Sequence, residues 1–142
     1  MSEWIQHADA TLRRAGRRAG GARRAVVGLL DGEHCCLSAQ EIHERLAAER
    51  PVGLASVYRA LEQLAAAELL QRVDVGDGVV RYEPVRGDDH HHHIVCRDCG
   101  KVEPFHDPLL ERAVSDVSDR VRHRISGHEI VLHGACPDCS SG

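Results

Sequence analysis

The stretch His90-His91-His92-His93-Ile94-Val95-Cys96-Arg97-Asp98-Cys99-Gly100 sets four imidazoles beside a Cys-x-x-Cys pair. A second pair, Cys136-Pro137-Asp138-Cys139, follows later. Imidazole and thiolate are the side chains that bind zinc and its neighbours best. Two cysteines at this spacing can both reach one ion, with metal–sulfur distances of about 2.3 Å. Cys96, Cys99, Cys136 and Cys139 therefore read as a tetrathiolate zinc site. Four protein ligands leave no position for an activated water, so its expected role is structural. A redox dithiol would need a helix start and a thioredoxin-like setting, and neither accompanies these pairs.

The histidines divide by face. In a strand, successive side chains point to opposite sides. His90 and His92 then share one face, and His91 and His93 the other, so one strand serves two sites. Glu111 and His128 are candidates to complete a site with His90 and His92. Glu83 is a candidate to join His91 and His93, with a further ligand from the His34-Cys35-Cys36 cluster. A hydrolase or deaminase would need an open coordination position and a carboxylate base. His128 takes the fourth position, and no H-E-x-x-H or deaminase signature occurs. The expectation is a protein that is not an enzyme and has no small-molecule substrate.

The elements that must position these residues fall into two groups. Helices are expected over residues 7–16, with Ala8, Leu12 and Ala15 on one face, and over residues 22–30. A helix over residues 38–50 opens on the capping box Ser38-Ala-Gln-Glu41 and stops at Pro51. Another spans residues 55–68, with Val57, Leu61, Leu64 and Ala65 as its apolar stripe. Helix, short turn and helix make a helix-turn-helix. Strands over residues 69–75 and 79–83, joined by Gly76-Asp77-Gly78, form a hairpin wing. Beyond a hinge at 85–89, strands are expected over residues 90–95, 101–105 and 128–133. A helix capped by Asp107, with Pro108 at its first position, runs to 122 and is expected to bury Leu110, Val114, Val117 and Val121. The fold class is α+β. A winged helix-turn-helix over residues 1–84 precedes a small α/β dimerisation domain with a three-stranded sheet over residues 90–142.

The net charge of −4 excludes a polycation, but the charge is unevenly spread. Arg13, Arg14, Arg17, Arg18, Arg23 and Arg24 crowd together, which marks a polyanion-binding surface. Arg14 and Arg23 are candidates for phosphate contacts. Ser56, Tyr58 and Arg59, on the outward first turn of the second helix of the pair, are candidates for contacts in the major groove of double-stranded DNA. Aromatic residues are only 3% of the chain. Two small domains so built have thin cores, and a metal staple would help the weaker one. The first residues lack a signal-peptide stretch, and no apolar run is long enough to span a bilayer. A cytoplasmic protein with no membrane partner is expected. In that compartment, paired cysteines read as metal sites before disulfides.

Taken in order, Gly53-Leu-Ala-Ser-Val-Tyr-Arg-Ala-Leu61, the 90–100 stretch, His128 and Cys136-x-x-Cys139 resemble the ferric uptake regulator superfamily. The likeness is nearest to its zinc and iron uptake branches and covers residues 10–139. It implies a cytoplasmic homodimer that represses metal-uptake genes when metal-loaded, bound to a palindromic operator. On this likeness the sensing site falls on Cys36, Glu83, His91 and His93. A dimerisation-domain site falls on His90, His92, Glu111 and His128, and the tetrathiolate zinc is structural. Iron sensors of the superfamily commonly have His where Cys36 stands, and peroxide sensors have Asp where Pro104 stands. Zinc sensors often draw a Cys from the segment where Glu83 stands. A thiolate with two imidazoles and one carboxylate suits tetrahedral Zn(2+), and sulfur selects against manganese. The regulatory ion is read as Zn(2+), with Fe(2+) as the alternative.

Overall fold

The computed structural model describes residues 2–17, 20–87 and 89–140. Arg18 of the arginine cluster and Asp88 of the 85–89 segment lie outside the described residues. The chain divides into two units, residues 1–89 and residues 90–142.

In the first unit, α1 (Glu3–Arg14) and α2 (Gly21–Asp31) precede β1 (Leu37–Ser38), α3 (Ala39–Ala47), α4 (Leu54–Ala66), β2 (Leu70–Asp74) and β3 (Val80–Pro84). Helix α1 starts well before residue 7 because Ser2 caps it, its hydroxyl accepting from the Ile5 amide at 3.1 Å. Its buried stripe is Trp4, Ala8 and Leu12, one residue every four, while Ala15 lies past the last turn and is exposed. The Trp4 indole donates to the Leu69 carbonyl at 3.2 Å and so pins α1 to the start of the wing.

Both halves of the α3 capping box form. Ser38 Oγ accepts from the Glu41 amide, and the Glu41 carboxylate accepts from the Ser38 amide. A cap of this kind contributes about 1 kcal/mol. Helix α4 buries Val57, Ala60, Leu61 and Leu64, with Leu30 and Ile42 completing the centre of the core. Leu61 has no exposed surface. Leu61→Ala should cost this unit about 2–5 kcal/mol, read as a lower midpoint in thermal unfolding followed by circular dichroism.

The wing is a hairpin, β2 against β3, with Leu70 opposite Pro84 and Asp74 opposite Val80. At its tip Asp77 takes a bidentate contact from Arg81, at 3.1 and 2.8 Å. A third strand, not expected from the sequence, pairs with β3: Leu37 faces Tyr82 and Ser38 faces Arg81. Two residues are too few to carry a readable alternation. Their pairing nevertheless ties the segment before α3 to the wing.

The second unit holds β4 (His92–Cys96), β5 (Val102–Phe105), α5 (Pro108–Arg120), β6 (Val131–Gly134) and the short α6 (Pro137–Ser140). Strand β4 is central, antiparallel to β5 and parallel to β6. Asp107 caps α5, its carboxylate accepting from the Leu109 and Leu110 amides at 2.8 and 3.2 Å. The first and third strands begin later than the sequence suggests, at His92 and Val131.

One expectation needs correction: α5 buries none of its residues. Leu110 and Val114 are half-buried, while Val117 and Val121 are 49% and 40% exposed. Three short strands and one helix cannot enclose an apolar stripe. Among the described residues of this unit only His92, His93, Val95 and Cys96 are buried.

Candidate metal centres and nucleic-acid face

In the second unit the sulfurs of Cys96, Cys99, Cys136 and Cys139 lie within 4.8 Å of one another. Two tight turns bring them there. Gly100 adopts a left-handed φ of 80° and returns its amide to the Cys96 carbonyl at 2.9 Å. The Cys139 amide does the same to the Cys136 carbonyl at 2.9 Å. The Arg97 amide reaches the Gly134 carbonyl at 2.8 Å, holding the two turns side by side. Cys96 Sγ accepts from the Cys136 amide at 3.3 Å. That donor, followed by the Cys99 amide, lowers the Cys96 thiol to about 6. Cys139 is pushed up to about 12 by hydrogen bonding to Cys136 and Cys96, with partial desolvation also contributing. One thiolate is thus favoured at Cys96. The set fits a closed, tetrahedral zinc site.

His90, His92, Glu111 and His128 also offer ligand atoms within 4.8 Å of one another. His92 Nε2 lies 2.5 Å from Glu111 Oε1, and His128 Nε2 2.7 Å from Glu111 Oε2. His90 Nε2 is 3.1 Å from His128 Nε2. Desolvation opposes ionisation of Glu111, but hydrogen bonds from His92 and His128 outweigh it and hold the carboxyl below its usual range. The Ile130 amide donates to His92 Nδ1 at 3.2 Å. The Ile130 amide thus holds the His92 ring from the Nδ1 side while Nε2 faces Glu111.

On the other face of the same stretch, His91 and His93 stand edge to face with ring centres 4.9 Å apart. His93 is buried and His91 half-buried. The alternation therefore holds through His90 and His91, although both precede β4.

Within the first unit, the Cys35 and Cys36 sulfurs and a Glu83 carboxylate oxygen lie within 4.8 Å of one another. The unexpected strand β1 explains this. Its register with β3, carried on by one residue, sets Cys36 opposite Glu83. Glu83 is buried, and its carboxylate accepts from Gln71 Nε2 at 2.6 Å. Cys36 is buried as well, and the Cys35 thiol, burial and the Glu83 charge all push its thiol upward. His34 is exposed and stands outside this group. Gln71 as an orienting partner, Ile130 on His92, and Cys35 beside Cys36 were not separable by spacing, because each depends on a strand register.

Because α4 begins at Leu54, Tyr58 and Arg59 stand exposed in its second turn rather than its first, with Ser56 half-buried one turn earlier. Tyr58 is 45% exposed, and Arg59 donates to Ser56 Oγ at 3.2 Å. Arg59 and Ser56 line a cleft of about 450 Å³ together with Arg17 and Gln63. Arg14 is exposed beside Thr11. Arg23 differs: it is buried, donating to Gln63 Oε1 at 3.2 Å and to the Arg17 carbonyl at 3.4 Å. It braces α2 against α4 and shapes the cleft wall from inside.

A family model described as the ferric uptake regulator family matches residues 14–133. The chain belongs to the ferric uptake regulator family. The ferric uptake regulation protein of Neisseria meningitidis serogroup A is 35% identical over 136 residues, spanning 93% of this chain and 92% of that one. Among solved structures, the Vibrio cholerae ferric uptake regulator aligns with a TM-score of 0.79 at 28% identity, covering 90% of this chain and 98% of that one. The Helicobacter pylori ferric uptake regulator gives 0.86 at 24% identity over 98% and 93% of the two chains, a likeness of fold alone. Ferric uptake regulator family members are metal-responsive transcription regulators that bind DNA. The chain shares that role as a metal-binding repressor. Among the described residues no helix is long and apolar enough to cross a membrane.

Proposed function

We propose that this ferric uptake regulator family member is a zinc-responsive repressor of metal-uptake genes, acting in the cytoplasm as a homodimer on a palindromic operator. Residues 1–84 read DNA, 85–89 form the hinge, and 90–142 dimerise. The observation that carries the reading is the buried cluster of Cys36 and Glu83 in the same unit that presents Tyr58 and Arg59. Metal-type ligands here have no part in reading bases, yet Glu83 sits on the wing strand β3 and Cys36 directly before β1, which pairs with it.

The regulatory ion is assigned to Cys36, Glu83, His91 and His93. Ligands drawn from both units converge in only one relative orientation. An ion there selects that orientation from an ensemble and sets the two recognition helices to match half-sites about one DNA turn apart, or a multiple of it. The tetrathiolate ion is structural zinc, and the His90, His92, Glu111 and His128 set is a further divalent site. Homodimerisation is supported by apolar side chains that the second unit leaves open: Leu109 is 72% exposed, Val117 49%, Ile125 46% and Leu132 47%. Iron is the alternative regulatory ion, since the Neisseria relative is a ferric uptake regulation protein. Zinc is favoured by sulfur at Cys36.

Operator-binding curves with Zn(2+), Fe(2+), Ni(2+) and Mn(2+), on a duplex selected from a random pool by the metal-loaded protein, test this reading. Zinc should tighten binding at the lowest free concentration. Binding that ignores all four metals would overturn it. Arg59→Ala should weaken the selected duplex by about 1–3 kcal/mol and relax preference at one base pair. An unchanged base preference would put the reading elsewhere.

A further inference from the structure

Cys35 and Cys36 are adjacent, and adjacent side chains of an extended chain ordinarily diverge. Here a bend at residues 34–35 turns them together, with their sulfurs 3.7 Å apart. An ordinary disulfide between them is unfavourable. Neighbouring Cα atoms across a trans peptide are about 3.8 Å apart, short of the roughly 4.4 Å that a disulfide needs at minimum.

The spacing suits another partner. Two sulfurs about 2.3 Å from one ion at a tetrahedral angle are about 3.8 Å apart. The tetrathiolate set shows the same separation, 3.8 Å between Cys99 and Cys136. A hard oxygen ligand, Glu83, completes three positions within one unit, and Gln71 fixes its orientation.

We propose that Cys35 and Cys36 act together as a two-thiolate chelate, so that the DNA-reading unit grips a soft divalent ion through both sulfurs and Glu83. This rests on the assignment of Cys36 and Glu83 to the regulatory site and deepens it. The consequence is selectivity. One thiolate is a compromise between zinc and iron, whereas two adjacent thiolates favour Zn(2+) and Cd(2+) over Fe(2+) and Mn(2+). A second consequence is the ligand count: with Cys35, Cys36 and Glu83 filling three positions of a tetrahedral ion, one position is left, so one of His91 and His93, not both, completes the set.

Co(2+) is the probe, because thiolate-to-cobalt charge transfer in the near ultraviolet reports sulfur ligands only. The full chain is first loaded with zinc at the tetrathiolate site, then titrated with Co(2+). The histidine–carboxylate site adds no such band. Cys35→Ser should lose about half of the band and should bind zinc at least about tenfold more weakly. Its Mn(2+) affinity should change little. A full band and unchanged zinc affinity in Cys35→Ser would overturn the proposal. The underlying assignment fails separately, if Cys36→Ser also keeps the whole band and a normal metal response on DNA. Should a serine variant fold poorly, alkylation of the wild-type chain decides instead. Zinc should protect Cys35 and Cys36 together, and modification of Cys35 at its metal-free rate would contradict the chelate.

Discussion

Cys96→Ser is expected to empty the tetrathiolate site and unfold the second unit, taking the dimer with it. The size of the effect follows from how little else holds that unit. Four residues are buried among those described, and two of them are histidines. Structural zinc in small domains supplies about 10–16 kcal/mol of apparent binding free energy, more than such a core can replace. Cys96 is also the sulfur that accepts the Cys136 amide, so its loss loosens the link between the two cysteine turns. Zinc content, thermal unfolding and sedimentation velocity should fail together. A folded, zinc-free dimer would show that the sheet and α5 suffice without the ion.

Glu83→Ala is expected to leave that zinc and the dimer intact while removing the metal response on DNA. Glu83 is buried, held by Gln71, and faces the position of Cys36 across the β1–β3 register. Without its carboxylate, the ion loses a charged ligand and the first unit loses the group that β3 contributes. Coupling free energies between sites are typically about 1–3 kcal/mol, equivalent to about 5–150-fold in affinity. The zinc-dependent gain in operator affinity should therefore collapse towards unity in the variant. A Glu83→Ala protein that still gains affinity with zinc as the wild type does would remove Glu83 from the site.

Much of this arrangement was legible in the residues. The Ser38–Glu41 capping box forms as written, and of the expected α4 stripe Val57, Leu61 and Leu64 are buried while Ala65 is half-buried. The pairing of His90 with His92, and of His91 with His93, survives even though β4 begins only at His92, because extended backbone keeps its period of two before any ladder forms. What could not be read depends on distant partners. Strand β1 is two residues long and exists only because β3 is there to pair with it. Without that register, His34, Cys35 and Cys36 are equivalent candidates. Arg23 looks like its exposed neighbours, but it turns inward to reach Gln63, forty residues on. The apolar stripe of α5 was visible as a pattern, but a stripe does not state what covers it. Within one chain nothing in the unit is large enough to do so.

The measurement that tests the account most directly is the zinc affinity of the regulatory site, taken with and without saturating operator duplex, in protein already loaded at Cys96, Cys99, Cys136 and Cys139. Linkage is reciprocal: if zinc tightens the grip on DNA by some factor, DNA must tighten the grip on zinc by the same factor. With one such site in each protomer, the two zinc titration curves should be displaced so that the shifts at the dimer's two sites multiply to the factor by which zinc shifts operator binding. Superimposable zinc curves would contradict it, since an ion indifferent to DNA cannot be what governs the hold on the operator.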